Sequence, residues 1–289
     1  MVEESIFKGG VLLEKLGLLF GAIGTIFGCV LVRKKYDFTM KKAFLYSTII
    51  VVLGILECKI MSLLQSGLLN LISDGQIPVE NGIRFLGVIV FEPLFILLFV
   101  YLSGEKYRKL MDFAIPGNLA ALMFGKISCH IEGCCYGIPF ENGVYNETYG
   151  GNCFPVQLAE SITSLIAIVT VYLLLYKCKN IRKGSLFPIG SIIYCITRIY
   201  WEEYRYYDNE WQLDFFLGLN TWQFWCVVSI ITCLVWLIVL YTNPKYAECN
   251  FEPKENAPAL VIAKKFSDGL DRIKHRNDKN IVHHKKRKK

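Results

Sequence analysis

The chain has 289 residues, of which 53% are hydrophobic, and a formal net charge of +7. An apolar content this high excludes an ordinary soluble domain, because a chain of this length would expose too much apolar surface to water. Residues 242–289 contain 13 Lys and Arg against 6 Asp and Glu, so the positive charge belongs to this C-terminal tail alone. The charge therefore gives no indication of a nucleic-acid partner, and none is predicted.

Apolar runs of about 20 residues, the length that a helix needs to cross the hydrocarbon core, recur along the chain. Helices are expected, because the membrane tolerates only elements that satisfy their own backbone hydrogen bonds. The least apolar run is the sixth, which contains Arg198, Glu202 and Glu203. The fold class predicted is an all-α polytopic membrane protein, with a seven-helix transmembrane domain at 1–241 and a basic, partly disordered cytoplasmic tail at 242–289. The seven runs are 11–32, 43–65, 84–103, 111–131, 157–176, 185–204 and 219–241.

Lys and Arg are concentrated in alternate loops. They cluster at 33–42, 106–109 and 177–183 and in the tail, whereas the other loops are mainly acidic. Because Lys and Arg favour the cytoplasmic side of a membrane, the pattern predicts the N-terminus outside and the C-terminus in the cytoplasm.

The fourth run ends in a glycine- and cysteine-rich segment, residues 125–137, which reads Gly-Lys-Ile-Ser-Cys-His-Ile-Glu-Gly-Cys-Cys-Tyr-Gly. Gly125 is explained by close helix packing. Gly133 and Gly137 favour a tight turn where the helix must end. Lys126 and Glu132 are candidate site charges beside this turn.

Four cysteines of the outer side, Cys129, Cys134, Cys135 and Cys153, allow three interpretations. A metal site is disfavoured, because adjacent cysteines lack the spacing typical of zinc sites. A disulfide, for which Cys153 is a candidate partner, and unpaired thiols both stay open. No metal and no cofactor are predicted.

The fifth run opens with residues 154–160, Phe-Pro-Val-Gln-Leu-Ala-Glu. Gln157 and Glu160 are three residues apart and therefore lie on one helix face near the outer surface. Glu160 is explained either by interaction with the helix dipole or by a role in a site.

The sixth run contains the densest set of ionisable residues. Tyr194, Arg198, Glu202 and Arg205 are spaced four, four and three apart, which places them within about 80° on one helix face. An ion pair between helices, or an Arg marking the water interface, is the structural explanation. The functional one is a cationic face that holds an anionic head group, because intramembrane charges are costly and Arg suits a phosphate.

Together these three segments resemble the bacterial prolipoprotein diacylglyceryl transferases. The family has Gly-Arg-x-Gly-Asn-Phe-x-Asn-Gly-Glu-x-x-Gly, then His-Pro-x-Gln-Leu-Tyr-Glu, then Tyr-Gly-x-x-Arg-Phe-x-x-Glu-x-x-Arg. Here the third segment, residues 194–205, reads Tyr-Cys-Ile-Thr-Arg-Ile-Tyr-Trp-Glu-Glu-Tyr-Arg. The resemblance covers about residues 10–241, and seven spans with the N-terminus outside match the family's architecture.

The resemblance implies transfer of the diacylglyceryl group of phosphatidylglycerol to the lipobox cysteine of prolipoproteins, with glycerol phosphate leaving. Its implied partners are phosphatidylglycerol, prolipoprotein signal peptides and membrane lipids, at a site facing the extracytoplasmic leaflet of the bacterial plasma membrane. Arg198, Glu202 and Tyr194 take catalytic positions. The implied substrate-binding residues are Lys126, Glu132, Gly133, Gly137, Gln157, Glu160 and Arg205.

The chain departs from the family at the histidine positions, which include the family's proposed catalytic base. The family's third span has His-Gly-Gly, whereas residues 85–89 read Phe-Leu-Gly-Val-Ile, and Phe154 replaces another family His. On the outer side this leaves His130, Glu132, Glu202 or water as a base. A transferase with another acceptor and a non-catalytic phospholipid-binding protein are the alternative functions.

Overall fold

The computed structural model describes residues 2–73, 84–206 and 218–243. The helices in these ranges confirm the predicted apolar runs, with ends that shift by a few residues at most positions and by more in the first two. The predicted tail lies outside the described residues from position 244 onward. The helices are α1 (Val2–Val32), α2 (Met40–Ser73), α3 (Leu86–Ser103), α4 (Tyr107–Ile131), α5 (Val156–Lys177), α6 (Leu186–Glu202) and α7 (Thr221–Thr242).

Six of these helices contain a stretch long and apolar enough to cross a membrane, which confirms a multi-pass membrane protein. α6 is not among them, because it has only 17 residues. Large apolar side chains such as Leu94, Ile166 and Ile238 are exposed on the helix surfaces. In a bilayer these faces contact lipid chains rather than water. The six stretches are Gly17–Tyr36, Met40–Leu64, Leu86–Ser103, Tyr107–Ile131, Val156–Lys177 and Thr221–Thr242.

α4 lies in the middle of the bundle and packs against α1, α3, α5 and α6. Its closest neighbour is α1, and small residues make the approach possible. A Cβ at Gly28 of α1 would stand 2.4 Å from the carbonyl oxygen of Pro116 in α4, so no larger residue fits there. This contact places the C-terminal end of α4, where Lys126 lies, at a defined position in the bundle.

The basic loops meet at one end of the bundle. Lys42, in the first turn of α2, pairs with Glu105, before α4, and Lys109 lies 3.6 Å from the same carboxylate. Burial alone would raise the pKa of Glu105, but the hydrogen bond from Lys42 and the two positive charges leave it below its ordinary value. Arg182, in the loop before α6, donates to the carbonyl of Leu240 at 2.5 Å. Basic loops that are far apart in the sequence therefore lie at the same end of the bundle.

The carboxylate of Asp112 links α4 to the beginning of α6. It accepts hydrogen bonds from the backbone N–H groups of Gly184 (2.6 Å), Leu186 (2.9 Å) and Phe187 (3.3 Å). The first N–H groups of a helix have no partner within the helix, so an acceptor supplied by a neighbour satisfies them. This cap sets the position of α6, which bears the ionisable residues of the site.

The opposite end of the bundle contains a small antiparallel hairpin between α4 and α5. Its strands are β1 (Pro139–Asn146) and β2 (Gly151–Cys153), with Tyr145 opposite Asn152. The prediction contained helices only, so the hairpin is an addition to the predicted fold. The hairpin stands next to the two segments, around residues 125–137 and 154–160, that contain predicted site residues.

Candidate functional site

A carboxylate on α5 is the centre of a cluster of ionised side chains. Glu160 Oε1 accepts from Arg198 Nη1 at 2.7 Å. Its Oε2 lies 2.6 Å from Lys126 Nζ and accepts from Arg205 Nη2 at 2.5 Å. Arg198 Nη2 also pairs with Glu202 Oε2 at 2.6 Å. One residue from each of α4 and α5 and three from α6 and its end thus meet at one place.

This ion cluster, defined by Lys126, Glu160, Arg198, Glu202 and Arg205, is almost completely shielded from solvent. Glu160, Arg198, Glu202 and Arg205 are each less than 9% exposed. Three cations and two carboxylates leave one positive charge in excess. Charges in a low-dielectric site interact far more strongly than at a surface, so this excess favours an anionic ligand.

Only part of the helix face predicted for the sixth run lies on α6. Arg198 and Glu202 pair as expected for residues four apart on a helix. α6 ends at Glu202, however, so Arg205 lies beyond the helix and reaches the cluster from the following turn. Tyr194 is buried one turn earlier. Its ring packs edge to face against the ring of Phe85, and the two ring centroids are 5.2 Å apart. Phe85 immediately precedes α3, so Tyr194 contacts the segment that begins this helix.

Backbone hydrogen bonds join the three motif segments. Gly137 N–H donates to the carbonyl of Phe154, Ile138 N–H to that of Tyr204, and Tyr206 N–H to that of Tyr136. A Cβ at Gly137 would stand 2.4 Å from one carbonyl oxygen and 2.7 Å from another, which explains the glycine. The pairing continues the β-structure of the hairpin and determines where Arg205 enters the cluster.

The other predicted binding residues lie around the turn after α4. Gly133 has a φ of 69°, which suits glycine at a helix end. Gln157 donates to the carbonyl of Cys134 at 2.7 Å, so it holds this turn. Glu132 accepts from Ser128 at 2.5 Å. Helix packing as the explanation for Gly125 was wrong, because no described atom outside its own stretch of helix lies within 4 Å of where its Cβ would be.

Three cysteines of this turn form a second cluster, which we call the thiol cluster. The Sγ atoms of Cys129, Cys134 and Cys135 lie within 4.8 Å of one another, and all three are free thiols. Hydrogen bonds from the other two thiols lower the pKa of Cys135, and the charges of Lys126 and Arg205 lower it further. The thiol cluster therefore lies within electrostatic reach of the ion cluster.

A cavity of about 230 Å³ opens beside the thiol cluster, between the end of α4 and the hairpin. Its lining includes His130, Glu132, Tyr136 and Gln157. Two of the possible bases that the sequence analysis named, His130 and Glu132, therefore share this cavity. A third, Glu202, is held by Arg198 and accepts from Asn220 Nδ2 at 3.2 Å.

A third arginine, Arg84, lies near the ion cluster and was not predicted from the sequence. The guanidinium of Arg84 lies 5.0 Å from the centroid of the Trp222 ring, and that of Arg198 lies 5.4 Å from the same centroid. Both distances are typical of cation–π contacts. In the sequence, Arg84 was marked only by its position at the end of a predicted outer loop that contains few cations.

The chain was compared with known proteins. The family model described as prolipoprotein diacylglyceryl transferase matches residues 7–239. A phosphatidylglycerol–prolipoprotein diacylglyceryl transferase of Clostridium tetani is 26% identical over 248 residues, which covers 79% of this chain and 95% of that protein. One of Dehalococcoides mccartyi is 27% identical over 63% of this chain and 69% of its own length. A transferase 2 of Clostridium perfringens is 30% identical over 43% and 51%. Because the model covers most of the chain, the protein belongs to the prolipoprotein diacylglyceryl transferase family.

Proposed function

We propose that this protein transfers the diacylglyceryl group of phosphatidylglycerol to the thiol of the lipobox cysteine in prolipoproteins. The observation that carries the proposal is the buried ion cluster, with three cations around Glu160. Family membership and the names of the relatives support a transferase of this kind. In the reaction the thiolate sulfur forms a bond to the glyceryl carbon, the C–O bond to phosphate breaks, and glycerol phosphate leaves with the electron pair.

The cluster's chemistry fits a departing phosphate. Negative charge grows on the phosphate oxygens as the C–O bond breaks, and fixed cations in a dry site stabilise it most. A guanidinium has five N–H donors, so Arg198 can hold Glu160 and Glu202 and also donate to a phosphate oxygen. We assign phosphate binding to Arg198, Arg205 and Lys126, with Arg84 as a further cation near Trp222.

The remaining predicted residues fit positioning roles. Glu160 and Glu202 keep the cations together, and Tyr194 packs against the beginning of α3. Gln157, Gly133 and Gly137 shape the turn beside the ion cluster.

The proposed topology has α6 as a seventh span, the N-terminus outside and the C-terminus in the cytoplasm. The basic loops at one end of the bundle support it, because cytoplasmic loops favour Lys and Arg. The ion cluster, near the opposite end, then faces the extracytoplasmic leaflet of the bacterial plasma membrane, where phosphatidylglycerol and exported prolipoproteins are available.

Proton transfer must differ from the family pattern. Phe154, at a family His position, packs against Trp201 and Tyr204 with ring centroids 6.0 and 5.1 Å away. Phe85, in the segment that stands where the family has His-Gly-Gly, packs against Tyr194. Aromatic hydrocarbon side chains cannot accept a proton, so another group must remove the thiol proton.

The test uses the purified full-length protein with phosphatidylglycerol vesicles and a lipobox peptide. We expect the peptide mass to rise by one diacylglyceryl group. Arg198→Ala should reduce the rate by at least about 100-fold, the scale seen when a group that stabilises transition-state charge is removed. Arg182→Ala, at the basic end of the bundle, is the matched control and should keep the rate.

Expression in cells depleted of their own transferase should also restore prolipoprotein lipidation. If the protein reaches the membrane but restores nothing, and consumes no phosphatidylglycerol with the peptide in vitro, the proposal is wrong. Binding of phosphatidylglycerol without turnover would instead support the non-catalytic alternative. Consumption with another thiol acceptor would support the alternative of a related transferase.

A further inference from the structure

The thiol cluster is created by the way α4 ends. Cys129 lies in the last turns of α4, and the chain then reverses at Gly133, so that Cys134 N–H donates to the carbonyl of Cys129 at 3.1 Å. Cys135 has a φ of 55°, a left-handed conformation that residues other than glycine rarely adopt. These two features bring Cys129 and the adjacent Cys134 and Cys135 together at one point.

Three sulfur atoms at this separation match the ligand set of a thiophilic metal ion. With Zn–S bonds of about 2.3 Å and tetrahedral angles, ligand sulfurs stand roughly 3.8 Å apart. The observed limit of 4.8 Å needs only small side-chain rotations to reach that value. The spacing in the sequence argued against such a site, but the turn after α4 supplies the geometry that the spacing lacks.

The charge around the thiol cluster also suits a bound ion. Three thiolates and one Zn²⁺ sum to one negative charge, and Lys126 of the positively charged ion cluster lies one helical turn before Cys129 on α4. The Oε2 atom of Glu132 lies 3.9 Å from Cys134 Sγ, so a carboxylate is next to the sulfurs. The cavity is lined by Glu132 and Gln157, both of which contact Cys134, so it lies next to the thiol cluster.

We propose that Cys129, Cys134 and Cys135 bind one Zn²⁺ ion, and that its fourth position takes the thiol of the acceptor cysteine. Catalytic zinc sites keep three protein ligands and one open position in this way. The role in catalysis rests on the proposed function, whereas the metal site itself does not.

A bound Zn²⁺ would explain how the acceptor thiol loses its proton, although Phe85 and Phe154 stand where the family has histidines. A thiol that coordinates a metal loses its proton, and the carboxylate of Glu132, next to Cys134, would accept it. The thiolate sulfur would then form the S–C bond to the glyceryl carbon while the C–O bond breaks. The leaving glycerol phosphate takes the electron pair beside Lys126 and Arg205.

Metal binding is tested on the reduced, full-length protein in detergent micelles, stripped with a chelator and titrated anaerobically with Co²⁺. One equivalent should bind per chain with sulfur-to-cobalt charge-transfer absorption, and Zn²⁺ should displace it. Cys129→Ser and Cys135→Ser should each weaken binding at least about tenfold. Cys178→Ser, an exposed cysteine of the basic end, is the control and should leave binding unchanged.

Absence of stoichiometric binding, or binding that survives both Cys129→Ser and Cys135→Ser, would overturn the metal site without affecting the proposed function. The acceptor position is tested by adding a lipobox peptide to the Co²⁺ form. Its cysteine should change the cobalt spectrum, and a peptide with serine instead should not. Equal spectra with the two peptides, or full transferase activity in zinc-free protein, would refute the role in catalysis.

Discussion

Replacing the central carboxylate of the ion cluster should destabilise the protein and impair its site together. In Glu160→Gln the neutral amide keeps the size of the side chain but removes the negative charge shared by Lys126, Arg198 and Arg205. The excess in the cluster rises from one positive charge to two, with only Glu202 left to balance three cations. Glutamine also places an N–H₂ donor where at least one cation now donates.

The magnitude follows from the burial of the group. Removal of one partner from a buried ion pair costs about 3–5 kcal/mol, because the remaining charges stay out of water. Glu160 is 5% exposed, so solvent screening reduces this little. We therefore expect a loss of about 3–5 kcal/mol in the free energy of unfolding, and a fall in transfer rate of about 100-fold or more.

Thermal unfolding in detergent, with and without phosphatidylglycerol, is the assay. An anionic head group should stabilise the Glu160→Gln variant more than the wild type, since its phosphate supplies the missing negative charge. Glu203→Gln is the matched control, because Glu203 is exposed and contacts Gln223 at 2.6 Å outside the cluster; it should cost less than about 1 kcal/mol. Wild-type stability in the Glu160→Gln variant would refute the reasoning.

Three further substitutions test other parts of the structure. Arg84→Ala should weaken phosphatidylglycerol binding several-fold by removing a cation at Trp222, measured by vesicle titration; unchanged affinity would exclude it from the site. Asp112→Ala should lower stability by about 2–5 kcal/mol, since three backbone N–H groups lose a charged acceptor; unfolding in detergent measures this. Gly137→Ala should cut activity at least about tenfold, because its Cβ would collide with the carbonyl of Phe154; wild-type turnover would contradict the packing described.

The fold was largely predictable because its signals are local. An apolar run of sufficient length must be helical in a membrane, so the lengths of the runs were enough to predict the helices. The pairing of Arg198 with Glu202 was predictable for the same reason, since it depends on helix periodicity alone. α6 stayed the weakest of the predicted spans, and it is also the one whose length falls below that of the six candidates.

The arrangement of the site depended on contacts between distant segments. Periodicity placed Gln157 and Glu160 on one face of α5, but it could not show that Glu160 receives three cations while Gln157 holds the turn at Cys134. The interpretation of Gly125 failed because packing depends on which helix is the neighbour. Sequence spacing likewise missed the approach of Cys129 to Cys134.

The sequence by itself determined that this protein is built of membrane helices, with charges placed near the ends of particular spans. The tertiary structure alone decided which of those charges meet. Helix crossings such as that of Gly28 with Pro116, the Asp112 cap and the backbone pairing at Gly137 bring the end of α4, the beginning of α5 and the end of α6 together. Each contact joins residues far apart in the chain, so no local pattern encodes it.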